Sequence, residues 1–337
     1  MFKVMLTDLI FPDFELEEEE IRRIGASLSL ATWGDEAGMV AALKEADGLL
    51  NHFAPLTRRV LEQLPKCRVI SRCGVGYDNI DVEAATELGI LVAHVRDYCI
   101  EEASTHTFAL LLACARRLFH IDRAVRRGAW DHAAGRPMHN LACQTIGIVG
   151  LGKIGNATAN KARAFGMKVL AFDPYARGAG PNVEMVPFDR LVEASDYICI
   201  HAALTDETRG LFSDRAFDRM KPTAYLINGA RGPIVDEDAL LRALREGKIA
   251  GAAVDTMAKE PPGAENPLLK LDNLIVTSHV SWYSEESIEL LRRENVRAVV
   301  DTLQKGRPKY LVNPEALQHA RQKNVERATQ GLSTRVT

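Results

Sequence analysis

The stretch Thr145-Ile-Gly-Ile-Val149 followed by Gly150-Leu-Gly152-Lys-Ile-Gly155 limits what this chain can fold into more than any other segment. It reads as a buried strand, a glycine loop and the start of a helix reaching Phe165, with Gly166 as its stop and a second strand over Lys168–Asp173. Two such strands joined by a helix close as parallel neighbours through a right-handed crossover. The unit therefore predicts a helix-covered parallel sheet. A G-x-G-x-x-G spacing alone is weak evidence. Its weight here comes from the strand before it, the helix after it, and Asp173, 18 residues past Gly155 at a strand end. Gly150 suits the tight turn, Gly152 lets amides approach a pyrophosphate, and Gly155 lets helix and strand pack closely. Lys153 and Ile154 complete the loop at the positive end of the helix dipole. Asp173 is expected to accept from adenosine ribose hydroxyls and to repel a 2′-phosphate. That favours NAD over NADP, with Arg177 nearby slightly weakening the preference.

The same alternation runs through most of the chain and predicts an α/β protein. Strands are expected at 3–8, 47–52, 67–73 and 90–95, then at 197–201, 224–228, 250–255 and 273–277. Thr57 and Asp81 read as helix caps, the second helix stopping at Gly89. One long helix is expected from Ile100 to Arg127 with Gly128 as its stop, and another from Ser284 to Gln304. A length of 337 residues calls for two domains. The nucleotide unit starts near residue 100 and is complete near 283, while the N-terminal block is too small to be finished alone. The division expected is 1–98 with 285–315, a Rossmann domain over 99–284, and a polar tail over 316–337. A cleft between such lobes is where a small molecule binds.

Composition narrows the function. A net charge of −3 gives no reason to expect nucleic-acid binding, and no apolar run approaches the roughly 20 residues that cross a bilayer. The start, Met1 to Leu6, reads as a first buried strand without a signal-peptide layout. The six cysteines have no C-x-x-C pairing and read as reduced, buried thiols of a cytoplasmic protein, with no metal site.

Three residues of the C-terminal half fit one reaction. Arg231 lies in Asn228-Gly-Ala-Arg-Gly232, Glu260 in Asp255-x4-Glu-Pro261, and His279 follows Val276-Thr-Ser278. Each falls at or just past a predicted strand end, where open α/β sheets bind ligands. Hydride transfer to a 2-oxo acid needs a cation for the carboxylate, and guanidinium offers a bidentate fork. It needs a proton for the carbonyl oxygen, which histidine supplies near neutral pH. A carboxylate must orient that histidine and favour its charged form.

Five ordered blocks then carry a resemblance to the D-isomer-specific 2-hydroxyacid dehydrogenases over roughly residues 45–315. They are Gly74-Val-Gly-Tyr-Asp-Asn-Ile-Asp81, Val149 to Gly155, His201-x3-Thr205-x2-Thr208, Asn228 to Gly232, and Asp255-x4-Glu-Pro261 with His279. The resemblance implies that Arg231, Glu260 and His279 are catalytic. It also implies a flavodoxin-like substrate domain, a Rossmann domain and a homodimer formed through the nucleotide domains. By the same likeness the amides of Val75 and Gly76 hold the substrate carboxylate. Thr107, Ala202 to Thr208, Gly229, Ala230 and Asp255 line the cofactor. The segment Trp282-Tyr-Ser-Glu285, with Arg72, is similar to the branch containing the C-terminal binding protein corepressors. Arg72 and Trp282 would then face the substrate side chain, and an extra arginine suits a second polar or anionic group. Two positions depart from the family pattern, Ser278 and Ala203, where proline is common; both belong to the backbone frame. The expected function is NAD-dependent reduction of a 2-oxo acid or oxidation of a D-2-hydroxy acid. The alternative is an NAD-responsive regulatory protein on the same fold.

Overall fold

The computed structural model describes residues 1–318 except 177 and 179. The influence assigned to Arg177 and the chain beyond residue 318 lie outside the described residues. Contacts divide the chain into two compact units, Met1–Tyr98 with the chain from Ser284 onward, and Cys99–Tyr283.

The first unit begins β1 (Lys3–Leu6), α1 (Glu15–Arg23), β2 (Ser27–Leu30), α2 (Glu36–Leu43), β3 (Gly48–Asn51), α3 (Arg58–Glu62), β4 (Val69–Arg72), α4 (Val82–Glu87) and β5 (Leu91–His94). Its strands are all parallel in the order β2-β1-β3-β4-β5, the flavodoxin-like sequence. Asp35, Thr57 and Asp81 each accept a backbone N–H of the helix they precede, which sets where α2, α3 and α4 start. Strand alternation sends Leu49, Ile70 and Val92 to one face and Leu50, Val69 and Leu91 to the other, and both faces are buried.

The second unit holds α5 (Ile100–Ala115), α6 (Leu118–Arg126), β6 (Thr145–Val149), α7 (Lys153–Ala164), β7 (Lys168–Phe172), β8 (Val183–Met185), α8 (Phe188–Ala194), β9 (Tyr197–Ile200), α9 (Asp214–Phe217), β10 (Tyr225–Asn228), α10 (Glu237–Arg245), β11 (Gly251–Val254) and β12 (Leu274–Val276). The parallel order β12-β11-β10-β9-β6-β7-β8 is doubly wound and reverses between β6 and β9. Helices α5 and α7 cover one face, over Ile148, Cys199, Ile227 and Ala253. Phe212, Phe217, Leu240 and Leu244 cover the other.

The chain then returns to the first unit through α11 (Glu285–Lys305), capped by reciprocal bonds between Ser284 and Ser287. Val296, Val299 and Leu303 complete the face begun by Val4, Leu6 and Ile21. Arg292 of α11 reaches Glu17 of α1 at 2.7 Å, with only 12% and 4% of the two side chains exposed.

Four expectations need correction. The helix from Ile100 to Arg127 is two helices, because Arg117 adopts a left-handed φ of 49° and its guanidinium turns to the Arg136 carbonyl. Apolar periodicity does not register one residue's backbone sign. Strands β2 and β8, of four and three residues, carry too short a pattern to be read. The polar tail begins later than residue 316, since Ala316 is fully buried and Leu317 packs against the same core. Cys143 is exposed, whereas the other five cysteines are buried, and all six are free thiols.

Removing one partner of a buried ion pair strands the other charge, at a cost of about 3–5 kcal/mol. Arg292→Leu should therefore lower unfolding stability in urea by roughly that amount. Arg292→Leu combined with Glu17→Leu should recover much of the loss; a double variant as unstable as the single would contradict this account.

Candidate active site

The nucleotide loop is built from close approaches that exclude side chains. At the end of β6, Gly150 has φ +91°, and a Cβ there would lie 2.5 Å from the Ala202 amide nitrogen that follows β9. A Cβ on Gly155 would lie 2.1 Å from the Gly150 carbonyl oxygen, whereas nothing stands within 4 Å of one on Gly152. Helix α7 begins at Gly152 without a side-chain cap. That leaves a helix N-terminus suited to phosphate, with Lys153 and Ile154 in its first turn.

Asp173 is committed to the loop. Its carboxylate accepts from Leu151 N at 2.8 Å, Tyr175 N at 2.8 Å and Ala176 N at 3.1 Å. A ribose hydroxyl would share or displace one of these donors. The Thr208 hydroxyl accepts from Thr205 N at 2.8 Å and donates to Ala203 O at 2.7 Å, which closes the turn beside Ala202. Desolvation pushes His201 down to about 4, so it is neutral, 3.0 Å from the Thr158 hydroxyl.

Thr107 on α5 is buried, and its hydroxyl has no protein partner. A Cβ on Gly229 would come within 2.8 Å of that oxygen. An orphaned hydroxyl beside a glycine shelf is what a bound polar ligand would satisfy.

The turn after β10 is set by Asn228, whose side chain accepts from Ala230 N at 3.0 Å and donates to Arg231 O at 2.9 Å. Gly232 lets this turn press on the next loop, since a Cβ would lie 2.0 Å from the Met257 carbonyl carbon. Glu260 stands on that loop. One carboxylate oxygen accepts from Met257 N at 2.9 Å and the other lies 2.6 Å from His279 Nδ1. Burial disfavours the charged form of Glu260. The His279 hydrogen bond and charge, the Met257 amide and the Arg231 charge nevertheless hold its pKa below the ordinary value. Arg231, Glu260 and His279 thus lie in one constellation.

His279 has φ +55°, a conformation uncommon for a side chain with a Cβ, and the surrounding bonds enforce it. Its N–H donates to Asp255 O at 2.8 Å, and its carbonyl accepts from Trp282 Nε1 at 2.8 Å. The buried Asp255 carboxylate accepts from Thr277 Oγ1 at 2.5 Å, Val280 N at 3.0 Å and Ser281 N at 2.9 Å. Burial again opposes the charge, and these donors outweigh it to lower the pKa. Asp255 therefore holds the turn that presents His279.

The remaining expected residues belong to the first unit. Arg72 donates from Nη1 to Cys73 O at 2.7 Å, and its guanidinium carbon is 5.8 Å from the Phe53 ring centroid. The Val75 carbonyl lies 2.7 Å from His94 Nδ1, which orients the Val75–Gly76 peptide. Sequence reasoning missed His94, Asn228, Thr277 and His106, all of which act through backbone or other side chains. Asn228 alone had a signal, a strand-ending asparagine before a glycine turn. Among the described residues, no three His, Cys, Asp or Glu side chains gather as for a metal.

Comparison with known proteins agrees with this geometry. Residues 108–281 match the NAD binding domain of the D-isomer specific 2-hydroxyacid dehydrogenases. The chain is 37% identical over 322 residues to a glyoxylate reductase of Korarchaeum cryptofilum, covering 91% of this chain and 96% of that one. It is 36% identical to a glycerate dehydrogenase of Methylorubrum extorquens, covering 84% and 90%. A D-lactate dehydrogenase from Aquifex aeolicus, solved with NAD and lactic acid, superposes with a TM-score of 0.81 at 31% identity, covering 90% and 96%.

Gly155→Ala should weaken NADH binding at least about tenfold in a fluorescence titration, because the helix must move off the loop. Unchanged affinity would refute the close-packing argument.

Proposed function

The chain belongs to the D-isomer specific 2-hydroxyacid dehydrogenases, and from that premise we propose that Arg231, Glu260 and His279 are the groups that perform its chemistry. The protein is an NAD-dependent oxidoreductase acting on the CH–OH group of 2-hydroxy acids. The glycine loop, the uncapped start of α7 and the Thr107 hydroxyl fit NAD, with Lys153, Ile154, Asp173, Ala202, Thr208, Gly229 and Ala230 around it. When bound, NAD supplies or takes up the hydride at C2. Arg231 pairs with the substrate carboxylate and sets the orientation of C2. His279 gives a proton from Nε2 to the carbonyl oxygen during reduction and recovers it from the hydroxyl during oxidation. Hydride and proton together convert C=O to CH–OH. Glu260, on Nδ1, fixes the ring and stabilises the imidazolium. The observation that carries this reading is the 2.6 Å His279–Glu260 pair beside the Arg231 charge.

Val75 and Gly76 offer their amides to the substrate carboxylate. Arg72 favours substrates with a second polar or anionic group. Trp282 supports the His279 backbone through its indole N–H, and its ring borders the substrate side chain. The substrates in view are small 2-oxo acids such as glyoxylate and hydroxypyruvate, in keeping with the names of the relatives. A homodimer through the NAD-binding unit is supported by Leu118, Phe119, Val125 and Trp130, large apolar side chains left exposed on and after α6. Among the described residues no helix is long and apolar enough to cross a membrane; free thiols support a cytoplasmic setting.

The test follows loss of NADH absorbance with glyoxylate, hydroxypyruvate, 2-oxobutyrate, phenylpyruvate and 2-oxoglutarate. Turnover should vanish in His279→Ala. Tight NADH binding with no acid reduced would instead favour the regulatory alternative.

Glu260→Gln keeps the side chain's size and removes its charge. The kcat/KM for reduction should fall on the order of 10²-fold, with the greater loss at alkaline pH. An equal loss at every pH would count against the imidazolium-stabilising role. The lowered pKa values of Glu260 and Asp255 carry a sign for stability. Their contribution is complete above the unfolded carboxylate pKa of about 4 and is lost only as pH falls through the lower folded values. The loss of unfolding stability in urea caused by Asp255→Asn should therefore be the same at pH 7 and at about pH 5.

A further inference from the structure

Helix α5 places two consecutive polar side chains against the two turns that carry the reacting groups. Thr107 faces Gly229 on the Arg231 turn, and His106 faces the His279 turn. His106 Nε2 lies 3.0 Å from Thr277 Oγ1 and 3.6 Å from Asp255 Oδ1. Thr277 has one hydroxyl proton, and a carboxylate held in its charged form takes it, across 2.5 Å. Thr277 Oγ1 can therefore only accept from His106, so Nε2 carries a proton in either charge state of the ring. The direction of the chain is fixed from His106 to Thr277 to Asp255.

We infer that His106 is a positioning residue for His279, acting through Thr277 and Asp255. The role in catalysis rests on the assignment of His279 as the proton donor and acceptor. The geometric part stands apart from it. By locking the Thr277 rotamer, His106 keeps Asp255 Oδ1 aligned on Thr277 and on the Val280 N–H. Oδ2 remains for the Ser281 N–H. Those bonds hold the left-handed backbone at His279 and keep its Nδ1 on Glu260. Without the donor, the Thr277 hydroxyl keeps only its bond to Asp255, its rotamer is less firmly fixed, and the strained turn loses one of its restraints.

The test compares His106→Leu, which removes the donor, with His106→Gln, whose side-chain NH₂ reaches where Nε2 stood. Two readouts are used, amide hydrogen exchange across 277–281 and steady-state reduction of the best 2-oxo acid. In His106→Leu, exchange at Val280 and Ser281 should speed up about tenfold while α7 is unchanged, and kcat should fall about tenfold with little change in KM for NADH. His106→Gln should restore both to within about threefold of wild type. Unchanged exchange and kcat in the leucine variant would overturn the inference. So would a uniform rise in exchange across the second unit that glutamine fails to rescue, since that marks plain destabilisation. If wild type reduces no acid, the catalytic assignment fails, and the exchange pattern still decides whether His106 holds the turn.

Discussion

The buried carboxylate of Asp255 is the interaction on which the site depends. A charge inside a protein must be solvated by fixed donors, and the donors available at the end of β11 are Thr277, Val280 and Ser281. Meeting that demand bends the chain after β12 into a turn that gives His279 a positive φ. The imidazole then projects toward Glu260, not along the line of the strand. The cost of burying one acid is thus converted into the placement of another residue's side chain.

A similar economy shapes the rest of the second unit. The strand order reverses between β6 and β9, and there the loop at Gly150 packs directly against the backbone of Ala202. Backbone groups approach there because glycines allow it, and the start of α7 is left uncapped. One strand further along, Asn228 shapes the Arg231 turn, and Gly232 lets that turn rest against the loop that bears Glu260. Three successive strand ends, β10, β11 and β12, therefore present a cation, an acid and an imidazole, the last held by the Asp255 carboxylate.

How much of this could be read beforehand follows from how local each signal is. The strand, glycine loop and helix of 145–166 appear as written, because the strand pattern is local and Gly155 answers a close contact with Gly150 a few residues away. Thr57 and Asp81 cap the helices expected of them for the same reason. The break at Arg117 was invisible: one left-handed residue leaves the apolar spacing of its neighbours intact. Strand β2 was missed because four residues at a sheet edge, with only Leu28 buried, carry almost no alternation. His106 lay 171 positions from the threonine it contacts, and nothing in its own helix marks it.

The sequence alone determined the doubly wound architecture, the nucleotide loop and the three residues proposed for catalysis, since each is encoded by residue types at short, fixed spacings. Only the tertiary structure decided that Asp255 acts as the anchor of the His279 turn, that Asp173 is already bonded to the loop it serves, and that Trp282 braces a backbone carbonyl. Those roles depend on which donors a buried acceptor meets after the chain has folded. Packing of strands far apart in sequence settles that, and no local pattern records it.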